Sequence, residues 1–286
     1  MNADFQNHLS KLLKAPHLSL YPVSGGDISR SYKINTSKDS YFIKINPSDS
    51  ALTMFQTEAF ALDLIQSTKT IKTPEVLFCE TFQNSSFLIM EFIESKSPSN
   101  LDFKTLGFKL AELHQHTSKV FGLNENNFIG SLPQSNTQNS SWLNFYIKER
   151  LQPQLHLANS QGLLSENECP SEQIMREQLE DLFYDVKPSL LHGDLWSGNY
   201  LISKNGTPYL IDPASYYGHY EVDIAMTKMF GGFNEVYLEA YQEIFPLENG
   251  WASRLEIYNL YPRLVHLNLF GTSYLSGINT VLNRYT

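Results

Sequence analysis

The segment L-L-H-G-D-L-W-S-G-N, residues 190–199, sets Asp194 five residues before Asn199, and I-D-P places Asp212 thirteen residues further on. Phosphoryl transfer from ATP needs oxygen ligands for Mg2+ and a carboxylate beside the attacking hydroxyl. An aspartate on a loop, an asparagine soon after it and a second aspartate supply those groups. Asp194 is therefore the candidate base that orients the hydroxyl, and Asn199 and Asp212 are the candidate Mg2+ ligands. A polar loop with turn-forming aspartates is the rival explanation. It accounts poorly for Asp212, because Leu210 and Ile211 put that carboxylate at the end of an apolar strand. His192 reads as a brace for the loop backbone rather than as an acid or base. Trp196, inside the same loop, is either a platform for a sugar ring or a packing residue.

A second constellation lies upstream. Lys44 sits in the middle of an alternating strand, 40–46, in which Tyr41, Ile43 and Ile45 point one way and Phe42 and Lys44 the other. Glu58 shares a helix face with Phe55, Ala59, Leu62 and Ile65. A carboxylate on an apolar stripe needs a partner, because an unpaired buried charge costs several kcal/mol. Lys44 is the natural one, with its ammonium then presented to the ATP phosphates. The plainer alternative is a snorkelling lysine and a glutamate at the edge of its stripe. Just before the lysine strand, S-G-G-D-I-S carries Gly25, Gly26 and Ser29, a turn able to bring backbone N–H groups to phosphates. Two glycines between strands also suit an ordinary hairpin. At 90–94, the carbonyl of Glu91 and the N–H of Ile93 are placed to bond an adenine edge, which makes this segment the candidate hinge. Neither a Walker A motif nor a Rossmann fingerprint occurs.

The elements that must position these groups change character along the chain. Extended pieces are expected at 20–24, 30–35, 40–46, 76–82 and 86–92, around one helix that starts at Ser48, Asp49 or Ser50 and runs to Ser67. Beyond the polar linker S-K-S-P-S-N, helices are expected near 101–118, 141–158, 171–186, 221–230, 234–245 and 253–270. Short extended pieces at 190–193, 199–203 and 208–212 interrupt them, the last two joined by a turn at Lys204-Asn205-Gly206. The expected fold is α+β and protein-kinase-like in its two lobes. An antiparallel-sheet lobe with one main helix (1–93) is joined to a larger, mainly helical lobe (94–286).

Composition narrows the function classes. Thirty Asp and Glu against 21 Lys and Arg give a net charge of -9, which offers no basic stripe for nucleic acid. No apolar run is long enough to cross a bilayer. Residues 1–15 lack the apolar core of a signal peptide. The two cysteines, Cys79 and Cys169, have no metal-ligand spacing and read as reduced thiols. A soluble cytoplasmic enzyme is expected. His114 and His116, two apart on a helix, share no face and are not expected to ligate metal. The aromatics Tyr216, Tyr217, Phe230 and Phe233 read as core.

The motifs together resemble the fructosamine kinase (ketosamine-3-kinase) family, within the aminoglycoside-phosphotransferase-like branch of the kinase fold. S-G-G-D-I-S, F-I-K, H-G-D-L-W-S-G-N, I-D-P-A-S-Y-Y-G-H-Y-E-V-D-I-A-M, M-F-G-G-F and L-V-H-L-N-L-F-G carry the likeness in order over nearly the whole chain. H-G-D-x-x-x-x-N and I-D-P belong to the wider superfamily, whereas W-S-G-N with I-D-P-A-x-x-Y-G-H is more particular. The resemblance implies ATP-dependent phosphorylation of the 3-hydroxyl of ketosamines, the Amadori products of sugars with amines. The 3-phosphate is unstable and eliminates, so such enzymes deglycate amines or proteins. It also implies that Asp223 braces the catalytic loop, and it makes His219 and Glu221 candidate substrate contacts. An aminoglycoside, choline or free-sugar phosphotransferase of the same fold is the nearest alternative. Two departures stand out: Tyr220 falls where related bacterial sequences often carry arginine, and the glycine loop has no cysteine to support redox control.

Overall fold

Side-chain alternation decides how the first layer is built. In the computed structural model, which describes residues 3–23 and 28–285, the chain opens with helix α1 (Ala3–Leu12). Strands β1 (Ser19–Pro22), β2 (Arg30–Asn35) and β3 (Ser40–Asn46) follow, then helix α2 (Ala51–Ser67) and strands β4 (Val76–Phe82) and β5 (Ser85–Glu91). The five strands form one antiparallel sheet in the order β1-β2-β3-β5-β4. Ile43 packs with Phe5, Leu9, Phe87 and Ile89 on the face covered by α1. Phe42 turns the other way, toward Phe55, Leu62 and Met90 beneath α2. Helix α1 was not anticipated, because its ten residues carry only Phe5 and Leu9 into the core. Ser50 is the residue before α2, yet its side chain caps nothing; the Ser50 carbonyl instead accepts from Met54 N–H at 2.9 Å.

The expected linker is partly structured. Ser95–Lys96 forms β6, which pairs with a later hairpin, and Ser99 caps α3 (Asn100–His114) in a reciprocal box with Asp102. Lys96 adds an ion pair to Asp102 at 2.6 Å. The chain continues through an unanticipated hairpin, β7 (Asn127–Ile129) and β8 (Leu132–Gln134), to α4 (Trp142–Tyr146) and α5 (Gln152–Ser160). The single helix expected over 141–158 is divided by a wide π-type turn at Ile147–Leu151. Pro153 has no N–H to give Glu149, and that freed carbonyl accepts from the Arg150 guanidinium at 2.9 Å. Next come α6 (Glu172–Leu179), β9 (Ser189–Leu190), β10 (Tyr200–Ser203), β11 (Pro208–Leu210) and β12 (Tyr217–Gly218). Helices α7 (Glu221–Met229), α8 (Glu235–Ile244), α9 (Trp251–Phe270) and α10 (Leu275–Tyr285) complete the fold.

The helical region holds two apolar cores. One gathers Trp142, Phe145, Tyr146 and Tyr258; the other joins α3 to α8 through Leu106, Leu110, Tyr237 and Tyr241. A Cβ at Gly107 would lie 2.2 Å from the Tyr237 carbonyl, so only glycine lets α3 and α8 approach this closely. Pro262 interrupts α9 and leaves the Tyr258 carbonyl without its helical donor. The Tyr146 hydroxyl stands there, 3.4 Å away, while bonding the Ile257 carbonyl at 2.8 Å. No helix among the described residues is long and apolar enough to cross a membrane.

Candidate active site

Loop 191–199 leaves β9 and is fastened on both sides. The Asp223 carboxylate, in the first turn of α7, accepts from His192 N–H at 2.7 Å and Gly193 N–H at 2.9 Å. The His114 ring bonds the same carboxylate at 3.1 Å and the Tyr241 hydroxyl at 2.8 Å. Burial opposes the charge of Asp223, yet His114, His192 and the Gly193 amide hold its pKa below the ordinary value. His192 is buried, and burial pushes its pKa down. In the neutral ring Nε2–H donates to the Ile211 carbonyl at 2.9 Å, and Nδ1 accepts from Asp194 N–H at 3.2 Å. Gly193 has φ +85°, and a Cβ there would lie 2.2 Å from the Ala214 carbonyl. The loop therefore reaches Asp194 through a position open only to glycine.

These braces bring the charged groups together at one cavity of about 900 Å3. Lys44 lies in a central strand, opposite Leu88 of β5 and Ser31 of β2, and its ammonium bonds Glu58 Oε1 at 2.8 Å and Asp212 Oδ1. Burial alone would strip the ammonium of its proton. Asp212 and Glu58 outweigh it and raise the Lys44 pKa above its ordinary value. Asp212 holds φ +54°, a left-handed conformation uncommon outside glycine, at the end of the hairpin β10–β11. Asn199 Nδ2 donates to the Asp194 carbonyl at 2.8 Å and to Asp194 Oδ2 at 3.0 Å. Burial, reinforced by the charge of Asp212, pushes the Asp194 pKa up to about 7. Lys44, Glu58, Asp194, Asn199 and Asp212 all line the cavity.

The remaining expected site residues divide. Ser29, Glu91, Ile93 and Trp196 line the same cavity, and Glu91 is the last residue of β5. The Trp196 ring folds over Gly198, where a Cβ would come within 2.3 Å of it. Gly25 and Gly26 lie outside the described residues. His219 and Glu221, expected as substrate contacts, are buried away from the cavity lining. His219 bonds the Tyr258 hydroxyl at 2.5 Å, and Glu221 takes two bonds from Arg254, at 2.7 and 2.5 Å. A carboxylate at the start of α7 is turned into the core because Arg254 of α9 meets it there. Arg254→Met is expected to destabilise the protein by about 3 kcal/mol, leaving Glu221 buried without its cation. Chemical unfolding measures this directly, and a change below about 1 kcal/mol would contradict the pairing. Tyr220 is likewise buried, between His219 and Phe245 with ring centroids 4.6 Å from each.

Sequence reading missed His114, Phe230 and His266 as contributors. His114, set aside as a metal ligand, instead bonds the Asp223 carboxylate and the Tyr241 hydroxyl. Its spacing from Leu106, Leu110 and Ala111 marks the buried stripe of α3, and that signal could have flagged a histidine needing a partner. Phe230, read as core, is 38% exposed and lines the cavity with His266. Cys79 is partly buried beneath α2, and burial with the nearby Glu58 and Glu80 charges pushes its thiol up to about 11. A thiol held protonated at neutral pH is a poor nucleophile. Mild peroxide is therefore expected to leave turnover unchanged, and thiol-reversible inactivation would contradict that.

The comparisons with known proteins agree with one another. A model of the family described as "Fructosamine kinase" matches residues 1–286. A protein of Enterococcus faecium named probable ketoamine kinase is 39% identical, covering 92% of this chain and 94% of its own. An Arabidopsis thaliana protein named protein-ribulosamine 3-kinase, chloroplastic, is 40% identical, covering 92% and 81%. A Haemophilus somnus crystal structure named "Putative fructosamine-3-kinase" superposes with a TM-score of 0.87 at 29% identity, covering 98% and 96%. The aminoglycoside phosphotransferase APH(4)-Ia, at 16% identity and a TM-score of 0.67 over 98% of each chain, shares the fold. With its five-stranded antiparallel sheet, its helices and the loop that carries Asp194 and Asn199, the chain belongs to the fructosamine kinase family.

Proposed function

We propose that the protein transfers the γ-phosphoryl group of ATP to the 3-hydroxyl of a ketosamine, a fructosamine or ribulosamine, free or on a protein lysine, and so serves deglycation. The observation that carries this reading is the convergence of Lys44, Asp194, Asn199 and Asp212 on one cavity in a member of this family. We divide the chain at 90–94 into an ATP-binding lobe, 1–93, and a catalytic and substrate lobe, 94–286. The short run between the end of β5 at Glu91 and β6 at Ser95, which pairs with β10, supports that division. Adenine is assigned to the carbonyl of Glu91 and the N–H of Ile93. ATP supply and two unpaired cysteines favour the cytoplasm.

The residues present suit a magnesium ion. Asn199 and Asp212 offer hard oxygen atoms on the cavity, and the mutual repulsion of Asp194 and Asp212 marks a place where a divalent charge is favourable. Two protein ligands suffice for Mg2+, which commonly completes its shell with phosphate and water. When bound, the ion neutralises charge on the β- and γ-phosphates. Lys44, oriented by Glu58, holds phosphate oxygen atoms. Asp194 orients the 3-hydroxyl and accepts its proton as the oxygen bonds to the γ-phosphorus, whose bond to the β–γ bridging oxygen breaks to release ADP. Asn199 holds Asp194 in place, while Asp223 and His192 fix the loop that carries it.

The test is Mg2+-dependent ATP consumption with fructosyl-lysine and ribulosyl-lysine, the phosphorylation position being read by NMR. Turnover with phosphate on the 3-oxygen is expected. Failure with both, alongside rapid turnover of an aminoglycoside, choline or a free sugar, would reject the ketosamine assignment.

A further inference from the structure

Five aromatic side chains on the cavity lining follow one another from Trp196 onward. Trp196, two residues past Asp194, meets Phe230 edge-on at 6.2 Å, and Phe230 lies 5.1 Å from His266. The His266 ring in turn lies 5.0 Å from Tyr274 and 5.5 Å from Phe270. All five line the cavity. Trp196 and Phe270 remain 40% and 49% exposed, so the core does not use up their surfaces. Phosphoryl transfer has no use for the distal rings. Phe270 and Tyr274 stand three ring-to-ring steps from Trp196 along the lining. With the sugar hydroxyl at Asp194, the far rings are left to the group attached to the sugar's amine.

Charge in the cavity acts in the same direction. Among the described residues lining it there is no arginine and no lysine other than Lys44, which Glu58 and Asp212 already hold. Glu91 and Asp194 are further acids on the cavity lining. A carboxylate on the acceptor would find no cation there. A secondary ammonium, by contrast, is attracted both by acids and by aromatic faces.

We propose that the row from Trp196 to Phe270 and Tyr274 is a subsite for the amine's substituent. It selects ketosamines whose amine carries an apolar or aromatic group over those whose amine carries a carboxylate. This rests on the ketosamine kinase reading above and adds the class of amine that the site accepts.

Fructose adducts of benzylamine, butylamine and glycine, with kcat/KM measured at saturating MgATP, test it. The benzylamine adduct is expected to exceed the glycine adduct roughly tenfold or more, with butylamine between them. Phe270→Ala and Tyr274→Ala are each expected to shrink the benzylamine-to-glycine ratio by about threefold or more. Neither ring is fully buried, and thermal melting with and without MgATP verifies that each variant is folded; if one is not, the ranking of adducts by the unaltered protein decides. Equal kcat/KM for the benzylamine and glycine adducts, or a ratio unmoved in both folded variants, overturns the subsite. Phosphorylation of none of the adducts, while MgATP still raises the melting temperature, overturns the ketosamine reading itself, and the subsite falls with it.

Discussion

Asp194→Asn is expected to lower kcat by roughly 10^3–10^4-fold while leaving MgATP binding within a few-fold of the unaltered protein. The amide keeps the size of the side chain but cannot accept the hydroxyl proton. A second effect separates this prediction from simple damage. Burial and Asp212 raise the Asp194 pKa from 3.8 to about 7, so between those values the folded protein holds a proton that the unfolded chain has released. Stability from this group is thus fully present below about pH 4 and is lost as pH rises through 7, a loss on the order of 4 kcal/mol. The asparagine variant has no such proton to lose. Its melting temperature relative to the unaltered, nucleotide-free protein is therefore expected to be higher at pH 8 than at pH 5. An inactive variant with the same relative melting temperature at both values would mean that Asp194 ionises normally. An active one would remove Asp194 from the role of base.

Lys44→Met is expected to lower kcat/KM for ATP by about 10^2–10^3-fold, since one ammonium both meets the phosphates and holds two carboxylates. Glu58 and Asp212 lose their shared cation, and Glu58 sits on the apolar stripe of α2 with Phe55, Leu62 and Ile65. Removing one partner of a buried pair leaves the other uncompensated, so a fall of about 2–4 kcal/mol in stability at pH 8 accompanies the kinetic loss. At low pH the loss of stability is smaller, because a protonated Glu58 no longer needs the cation. Lys44→Arg is expected to recover stability more than activity, since a planar fork replaces a point charge. Steady-state kinetics with varied ATP and urea unfolding at pH 5 and pH 8 provide the measurements. An unchanged kcat/KM for ATP would dissociate Lys44 from the phosphates.

What local chemistry alone could place is clearest at the centre of the site. Alternation over Tyr41–Ile45 assigned Lys44 to the face opposite Ile43, and helical spacing put Glu58 on the stripe of Phe55 and Leu62. Both rules depend only on backbone periodicity, so both were legible without coordinates. The five-residue spacing of Asp194 and Asn199 within one tight loop likewise needs no long-range information, and their hydrogen bond follows from it. Helix α1 escaped because ten residues with two apolar anchors hardly depart from a polar tail, and only the sheet face they cover makes them a helix.

Other roles were settled by partners distant in sequence. Glu221 looks like an acid at a cleft until Arg254, on another helix, draws it inward. His114 looks idle until α8 brings Tyr241 and α7 brings Asp223 to its two nitrogens. Phe230 looks like core until α9 sets His266 beside it along the cavity wall. By itself the sequence determined the chemistry available, the strand and helix faces that present it, and the family to which the chain belongs. The tertiary structure decided which charges and rings are spent on the core and which are left facing substrate, because burial and pairing are set by side chains that meet only after the elements have packed.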